Sequence, residues 1–192
     1  MDMQNLQKDG INRWTLQQEL TPGKEKGNFC LLCAKQGRTC CQGHDIYVTP
    51  GDCERIRSHS GMADFFEFRG CSQPAYAEQD GDPLWRQYVF RRNGRRRVLK
   101  RMDRDNCLFL GPEGCSLPLT ARPLVCRLYP HLYSAVGIAA AWDCECPAIQ
   151  KEAGLMIEEG IAGVGWHEAV QWHRMLYSEI LGEVNTDDLQ ID

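Results

Sequence analysis

The chain has 192 residues, of which 43% are apolar, and a net charge of -4 at neutral pH. This length predicts one domain with a short appended segment, built on one hydrophobic core of modest size. It contains 11 cysteines, and because that number is odd, a framework in which every cysteine is paired in a disulfide is excluded.

No part of the sequence has the hydrophobicity of an export signal or a membrane span. The residues after Met1 are polar, so we expect no secretory signal. The longest nearly unbroken apolar run covers residues 135–142, whereas a membrane span needs roughly 20 residues. We therefore expect a cytoplasmic protein without membrane contact. Disulfides are rare in that reducing compartment, so many cysteines there indicate metal ligands or redox thiols.

Local patterns predict a polar arm followed by two helices. Residues 1–27 are polar and are typical of an extended arm. Thr49 can cap a helix whose first residue is Pro50 and which stops at Gly61, since Thr caps helices and proline suits their first position. A second, short helix is predicted over 62–68.

Two β-hairpins and one long helix are predicted in the remaining chain. The first hairpin covers residues 88–99, because Asn93-Gly94 is the preferred pair for a tight type I′ turn. The second joins strands 132–135 and 138–142. Apolar side chains recur at helical spacing over about 165–182, which predicts an amphipathic helix.

Nine of the 11 cysteines fall into local groups whose spacing suits a metal site. A Cys-x-x-Cys turn places two thiolates on one side of a loop, and a tetrahedral ion takes four such ligands. Adjacent cysteines tend to point apart, so we expect Cys40 and Cys41 to face two ions or two corners of one cluster. Zinc and iron–sulfur clusters both accept four cysteines, so ligand type leaves both open. The groups are Cys30/Cys33 with Cys40/Cys41, then Cys107/Cys115, then Cys126, then Cys144/Cys146.

Two arginines flank Cys126 in the segment from Arg122 to Pro130. Four thiolates on a divalent ion leave a net charge of about -2, which a nearby guanidinium offsets. Arg122 and Arg127 can also donate hydrogen bonds to sulfur or to loop carbonyls, and such outer contacts orient metal ligands. We therefore predict that these two arginines support the cofactor site from around its ligands.

Several of these motifs resemble the YkgJ-type cysteine cluster family and occur in the family's order. The resemblance covers about residues 28–150 and implies a zinc- or iron-chelating domain. One difference is that six residues separate Cys33 from Cys40, where the family's opening is compact. The motifs are Cys30-x-x-Cys33, Cys40-Cys41, Cys107-Leu108-Phe109-Leu110, Gly114-Cys115, Arg122-Pro123-Leu124-Val125-Cys126-Arg127-Leu128-Tyr129-Pro130 and Cys146-Pro147. The ligands that the resemblance implies are Cys30, Cys33, Cys40, Cys41, Cys107, Cys115, Cys126 and Cys146.

The same domain is similar to the cysteine portion of flagellin N-methylases. No cofactor-binding methyltransferase domain is recognisable in this sequence, so that activity is not carried over. Asp45, Glu113 and Asp143 are acidic residues that lie near the cysteines in the sequence. No pair of them has a spacing diagnostic of catalysis, which leaves the question of an enzyme open.

Other candidate ligands have plainer explanations. Cys53 and Cys71 lie outside the groups and are expected to be core residues, since free cysteine is often buried and inert. Cys144 alternates with Cys146, so in an extended segment the two point to opposite faces. His44 and His131 could each complete a Cys₃His site, although a surface or supporting role is typical of such histidines. A redox role for the Cys-x-x-Cys turn would need a preceding strand and a following helix, which its loop-forming neighbours do not predict.

A run of nine arginines and lysines lies within residues 86–104. On the predicted hairpin, alternating arginines would keep an exposed strand solvated and block edge pairing. The alternative is a zinc-stabilised module that binds nucleic acid through this Arg-rich hairpin. Aromatic side chains between the arginines are few, which favours the solvated hairpin.

These observations predict an α+β fold: a small, loop-rich, metal-stapled domain with short helices, one or two β-hairpins and a C-terminal amphipathic helix. The expected function is chelation of zinc or iron, a 4Fe-4S cluster included, by cysteine thiolates. A metal-dependent protein-modifying enzyme and the nucleic-acid module are the alternatives. The predicted organisation is an arm at 1–27, the cysteine-cluster metal-binding domain at 28–150, a helical segment packed on it at 151–184 and an acidic tail at 185–192.

Overall fold

A computed structural model describes residues 33–34, 39–73, 81–102, 105–143, 146 and 165–183. Short helices and short antiparallel strand pairs alternate in it, which confirms the predicted α+β class. The predicted arm and acidic tail lie outside the described residues. The elements are α1 (Pro50–Ser60), β1 (Phe66–Arg69), α2 (Pro83–Val89), β2 (Arg96–Leu99), β3 (Arg101–Met102), β4 (Asn106–Cys107), β5 (Leu110–Gly111), β6 (Gly114–Cys115), α3 (Leu124–Leu128), β7 (His131–Ser134), β8 (Gly137–Trp142) and α4 (Trp166–Gly182).

Helix α1 begins and ends where the sequence predicts. The Thr49 side chain accepts a hydrogen bond from the backbone N–H of Asp52, and the Asp52 carboxylate accepts one from the backbone N–H of Thr49. This reciprocal pair satisfies two N–H groups that the first turn leaves without helical partners. Gly61 ends the helix with a left-handed φ of 69°, a conformation that glycine adopts without steric cost.

The second predicted helix, over 62–68, is wrong, because this segment contains strand β1. It pairs antiparallel with β2, and Phe66 lies opposite Leu99. Phe65 immediately before it is fully buried in the core. The partner strand lies some thirty positions further along the chain, so local periodicity carries no signal of this pairing.

The hairpin predicted over 88–99 is also wrong in its first half. Asp82 accepts hydrogen bonds from the backbone N–H groups of Leu84 and Trp85, and so caps helix α2. Trp85 and Val89, one helical turn apart, are both buried. The turn at Asn93-Gly94 exists, closed by a 2.8 Å hydrogen bond from Arg91 N to Arg95 O, but the strand after it pairs with β1. Asp82-Pro83 is a helix-start signal that outweighs the strand propensity of Tyr88-Val89.

The second hairpin and the C-terminal helix confirm their predictions. Strands β7 and β8 pair antiparallel, with Tyr133 opposite Ile138. Helix α4 covers 17 residues and turns Leu176 and Ile180, both fully buried, towards the rest of the protein. Along the described residues, no helix is long and apolar enough to cross a membrane.

The buried apolar side chains form two clusters. We call the first the cysteine core; it contains Cys41, Ile46, Val48, Cys53, Ile56, Phe65, Leu99, Cys107, Phe109, Leu117 and Ala121. We call the second the helical core; it contains Tyr47, Trp85, Val89, Leu124, Leu128, Ala169, Leu176, Tyr177 and Ile180. Helix α3 lies between them, since Leu124 and Leu128 belong to the helical core while Cys126 packs against the cysteine core.

The basic run joins parts of the fold instead of covering a hairpin. Arg97 Nη2 lies 2.6 Å from Glu183 Oε1 on the residue that caps α4, and Arg101 Nη2 lies 2.6 Å from Asp45 Oδ1. Two more ion pairs join Arg96 to Asp45 and Lys100 to Asp64. The Arg-rich hairpin over 86–104 that the nucleic-acid alternative assumed is therefore not formed, and part of its charge is neutralised within the protein.

Candidate metal centre

Seven of the eight predicted ligands lie within the described residues; Cys30 does not, and neither does Cys144. No disulfide joins the cysteines that the structure describes. Cys41, Cys107 and Cys146 are buried, whereas Cys33, Cys40, Cys115 and Cys126 are half-buried. The two expected core cysteines differ: Cys53 is buried in the cysteine core, and Cys71 is half-buried.

Backbone hydrogen bonds bring Cys41 and Cys107 together. The N–H of Cys107 donates to the carbonyl of Cys41 over 2.7 Å. Cys107 lies in β4 opposite Arg101 of β3, and the neighbouring residue Asn106 forms a bridge with Gln42. The loop that carries the adjacent cysteines is thus held against the strand that carries the third.

Two further short elements place Cys115 and Cys126 against the same core. Cys115 lies in β6, opposite Leu110 of β5. Cys126 lies in the middle of α3, which starts after Pro123 and has only five residues. Both side chains pack against the cysteine core, where Cys41 and Cys107 are buried.

These four thiols interact electrostatically. Burial, with smaller contributions from the nearby Cys41 and Cys115, raises the pKa of Cys107 to about 12. Burial also raises the pKa of Cys126 well above its ordinary value, again with contributions from Cys41, Cys115 and Cys107. Negative charge is disfavoured at these sulfurs in a dry surrounding. A bound cation would reverse that preference, since a coordinating thiol is deprotonated outright.

Cys40 and Cys146 approach a different group around Tyr129. Burial raises the pKa of Tyr129, and the nearby Cys146, Asp143 and Cys40 raise it further. The chain is tied together here, because Asp143 N donates to Pro130 O over 2.9 Å and Cys146 N donates to Asp143 O over 3.1 Å. Two of the predicted ligands, Cys40 and Cys146, therefore lie near Tyr129.

The thiols of Cys40 and Cys41 interact, although adjacent side chains tend to point apart. A hydrogen bond from the Cys40 side chain is the largest influence on Cys41, and together with the Thr39 hydroxyl and the Arg122 charge it holds the pKa of the Cys41 thiol below its ordinary value despite burial. Cys40 thus interacts both with Cys41 and with the group around Tyr129.

Arg122 and Arg127 donate to loop carbonyls, one of the two contacts predicted for them. Arg122 Nε donates to Leu117 O, and Arg127 Nε donates to Arg122 O, each over 2.8 Å. A further bond joins Arg127 to the carbonyl of Thr120. The guanidinium groups thus hold the loop between β6 and α3, and with it the approach to Cys126.

The two candidate histidines differ in their surroundings. His44 is exposed, and its Nδ1 lies 2.6 Å from Gln42 O. His131 is only 4% exposed, and burial lowers its pKa, so that the ring is neutral at pH 7. Neither ring nitrogen of His131 has a hydrogen-bond partner in the structure. Of the two histidines considered for a Cys₃His site, His131 is thus the buried one, and its ring nitrogens have no hydrogen-bond partner.

The donor chemistry fits zinc or iron, because clustered thiols suit thiophilic ions. The arrangement is looser than a closed coordination shell: across the described residues, no three His, Cys, Asp or Glu side chains are placed to hold one ion. Asp52 is a residue of this region whose full role the sequence did not reveal. Besides its hydrogen bond to Thr49 at the start of α1, its carboxylate accepts a 3.1 Å hydrogen bond from Leu124 N at the start of α3.

Residues 30–147 match the CxxCxxCC family, which is described as a putative zinc- or iron-chelating domain. The chain belongs to this family. The match covers every predicted ligand in the sequence and confirms the resemblance on which the chelating role was based. No curated protein and no solved structure was found to match the chain.

Proposed function

We propose that this CxxCxxCC domain binds zinc or iron through two sets of cysteine thiolates. The first set is Cys41, Cys107, Cys115 and Cys126; the second is Cys30, Cys33, Cys40 and Cys146. Membership of a metal-chelating family supports metal binding in general. The first set is supported by the interactions of Cys126 with Cys41, Cys115 and Cys107. In the second set, Cys40 and Cys146 are supported by their interactions with Tyr129, and Cys30 and Cys33 by the spacing of the motif.

The observation that carries the proposal is the convergence of four thiols from four separate elements on one apolar core. Cys126 interacts with Cys41, Cys115 and Cys107 although these residues are far apart in sequence. Core packing alone needs apolar volume, which Val or Leu supplies better than clustered thiols do. Four thiolates match the ligand number of a closed zinc site or of a 4Fe-4S cluster.

The local architecture supports a structural contribution from the ion. Strands β3, β4, β5 and β6 have two residues each, and a short isolated strand pair is marginal in water. Binding free energy at such a site acts as folding free energy, because the unfolded chain has no preformed site. A reducing compartment such as the cytoplasm would keep the thiols available for the metal.

Arg122 supports either metal by its charge. Four thiolates around a divalent ion carry a net charge of about -2, and Arg122 already lowers the pKa of Cys41. Zinc would make a purely structural site, whereas a cluster would add electron transfer. The thiol set is compatible with both.

The test compares two serine substitutions in the same core. Cys126→Ser removes one proposed ligand, and we expect it to abolish binding at the first set and lower stability. Cys53→Ser is the matched control, since Cys53 is buried in the cysteine core against which Cys126 packs, and burial raises its pKa to about 11 without a contribution from another cysteine. Metal content by elemental analysis and melting temperature are measured for both. Equal metal loss in the two variants would show that the ligands are assigned wrongly.

A further inference from the structure

Asp52 joins two helices that carry different parts of the protein. Its carboxylate is completely buried at the start of α1, where Oδ2 accepts from Thr49 N over 3.1 Å. Oδ1 accepts from Leu124 N at the start of α3, also over 3.1 Å. The Arg55 guanidinium neutralises it, with Nη2 2.7 Å from Oδ1. A buried carboxylate with this many donors is held in one position.

Glu179 of α4 extends this arrangement to the C-terminal helix. Arg55 Nη1 lies 2.7 Å from Glu179 Oε1, and Arg55 Nη2 lies 3.0 Å from Oε2. The Thr49 hydroxyl also donates to Glu179. The contact is so close to α1 that a Cβ on Gly51 would lie 2.5 Å from the Glu179 carboxylate carbon. A side chain at position 51 would therefore displace the Glu179 carboxylate from this contact.

The position of Cys126 depends on the start of its helix. Helix α3 has five residues, and its N-cap residue, Pro123, makes no side-chain cap hydrogen bond. The first N–H of a helix has no partner within the helix. Asp52 supplies the acceptor for Leu124, which precedes Cys126 by two residues. In so short a helix, a shift of the first residue moves the thiol by a similar distance.

We propose that Asp52, Arg55 and Glu179 form a clasp that positions Cys126 for the metal and couples metal binding to the docking of α4. The clasp rests on the proposed function, since it serves the first set of thiolates. Coupling between two sites is reciprocal. Metal binding should therefore strengthen the docking of α4, and loss of the Glu179 contact should weaken metal binding.

Helix α4 and its cap offer a matched pair of carboxylates for the test. Glu179 is part of the clasp. Glu183 accepts a 2.6 Å hydrogen bond from Arg97 and a 3.1 Å hydrogen bond from Tyr47, and neither of these donors is a residue of α3. The probe is cobalt(II), whose visible spectrum reports tetrahedral thiolate ligation. Its affinity is measured for the wild-type chain and for Glu179→Gln, Asp52→Asn and Glu183→Gln.

We expect Glu179→Gln and Asp52→Asn to weaken cobalt binding about 10- to 100-fold, the range found for groups that orient metal ligands. Glu183→Gln should keep the cobalt affinity within about twofold of the wild type, even where its melting temperature falls as much as that of Glu179→Gln. Equal weakening in Glu179→Gln and Glu183→Gln would overturn the clasp. No cobalt binding by the wild type would instead count against the proposed function. If Asp52→Asn does not fold, Gly51→Ala serves in its place, because it displaces Glu179 and leaves every charge intact.

Hydrogen exchange tests the reciprocal effect. Cobalt should slow the exchange of α4 backbone amides in the wild type and have a much smaller effect on them in Glu179→Gln. A cobalt effect on α4 that is unchanged by Glu179→Gln would contradict the coupling. If Glu179→Gln only loosened the packing of α4, its cobalt spectrum would be the same as that of the wild type, and this result would also contradict the coupling.

Discussion

The cysteine core and the helical core lie on either side of α3 and differ in how their residues can hold a structure. The cysteine core contains Cys41, Cys53 and Cys107, and it draws on α1 and β2 as well as on the two-residue strand β4. The helical core contains the long helix α4 and, among the described residues, no cysteine. Hydrophobic burial and helix packing account for the second region. The first combines apolar packing with clustered thiols, and these lie within the residues that match a metal-chelating family.

Metal removal should produce the largest difference in stability between the cysteine core and the helical core. Structural zinc sites contribute an apparent binding free energy of about 10–16 kcal/mol, so a chelator should expose the backbone amides of β3–β6 to exchange. The amides of α4 should retain more protection, because the helical core remains. Hydrogen exchange before and after chelation measures both. Equal loss of protection in the two regions would mean that they form one cooperative unit.

Shortening a buried side chain of the helical core should lower stability without changing the metal content. Leu176 is fully buried, so Leu176→Ala should lower the free energy of unfolding by about 2–5 kcal/mol through lost burial and a cavity. The metal content of the folded protein should not change. Leu181→Ala is the control on the same helix, since Leu181 is 49% exposed and such a change stays within about 0.5 kcal/mol. Denaturant unfolding and elemental analysis together check this.

The smallest expected effect is a pH dependence that originates beside the cysteine core. Burial by itself raises the pKa of Asp45, but the Ser72 N–H and the Arg69 guanidinium outweigh it and hold the pKa below its ordinary value. A carboxyl whose pKa is lower in the folded than in the unfolded state stabilises the fold above about pH 4, and that stability is lost as the pH falls through the folded value.

Asp45→Asn should therefore lower stability at neutral pH, and its difference from the wild type should shrink as the pH falls below about 4. Acid release of metal is common to both proteins, so the difference between them isolates Asp45. Denaturant unfolding at a series of pH values measures it. A difference that is constant across the series would rule out this carboxylate as the source.

The sequence predicts the parts of the fold whose signals are local. Thr49, Pro50 and Gly61 mark α1 by capping rules, and the spacing that includes Leu176 and Ile180 marks α4. Strand β1 was not predictable in this way, because its partner β2 is distant in the chain. The turn at Asn93-Gly94 was correctly placed, but the Asp82-Pro83 start signal turned the residues before it into α2.

The candidate site was predictable in its ligand types and less so in its arrangement. Cysteine spacing and family resemblance singled out the eight candidate ligands, and the family match covers all of them. The thiols of Cys40 and Cys41 interact within a turn in which Cys41 N donates to the Thr39 hydroxyl, and spacing does not describe this turn. Asp52 illustrates the same limit, since its bond to Leu124 spans 72 positions of the chain.

Anaerobic purification followed by elemental analysis, sulfide determination and a visible spectrum tests the central claim most directly. The account predicts folded protein that carries either zinc near two ions per chain without colour, or iron with acid-labile sulfide and a brown spectrum. Folded protein that contains neither metal, and that takes up neither when supplied with it under reducing conditions, would contradict the account.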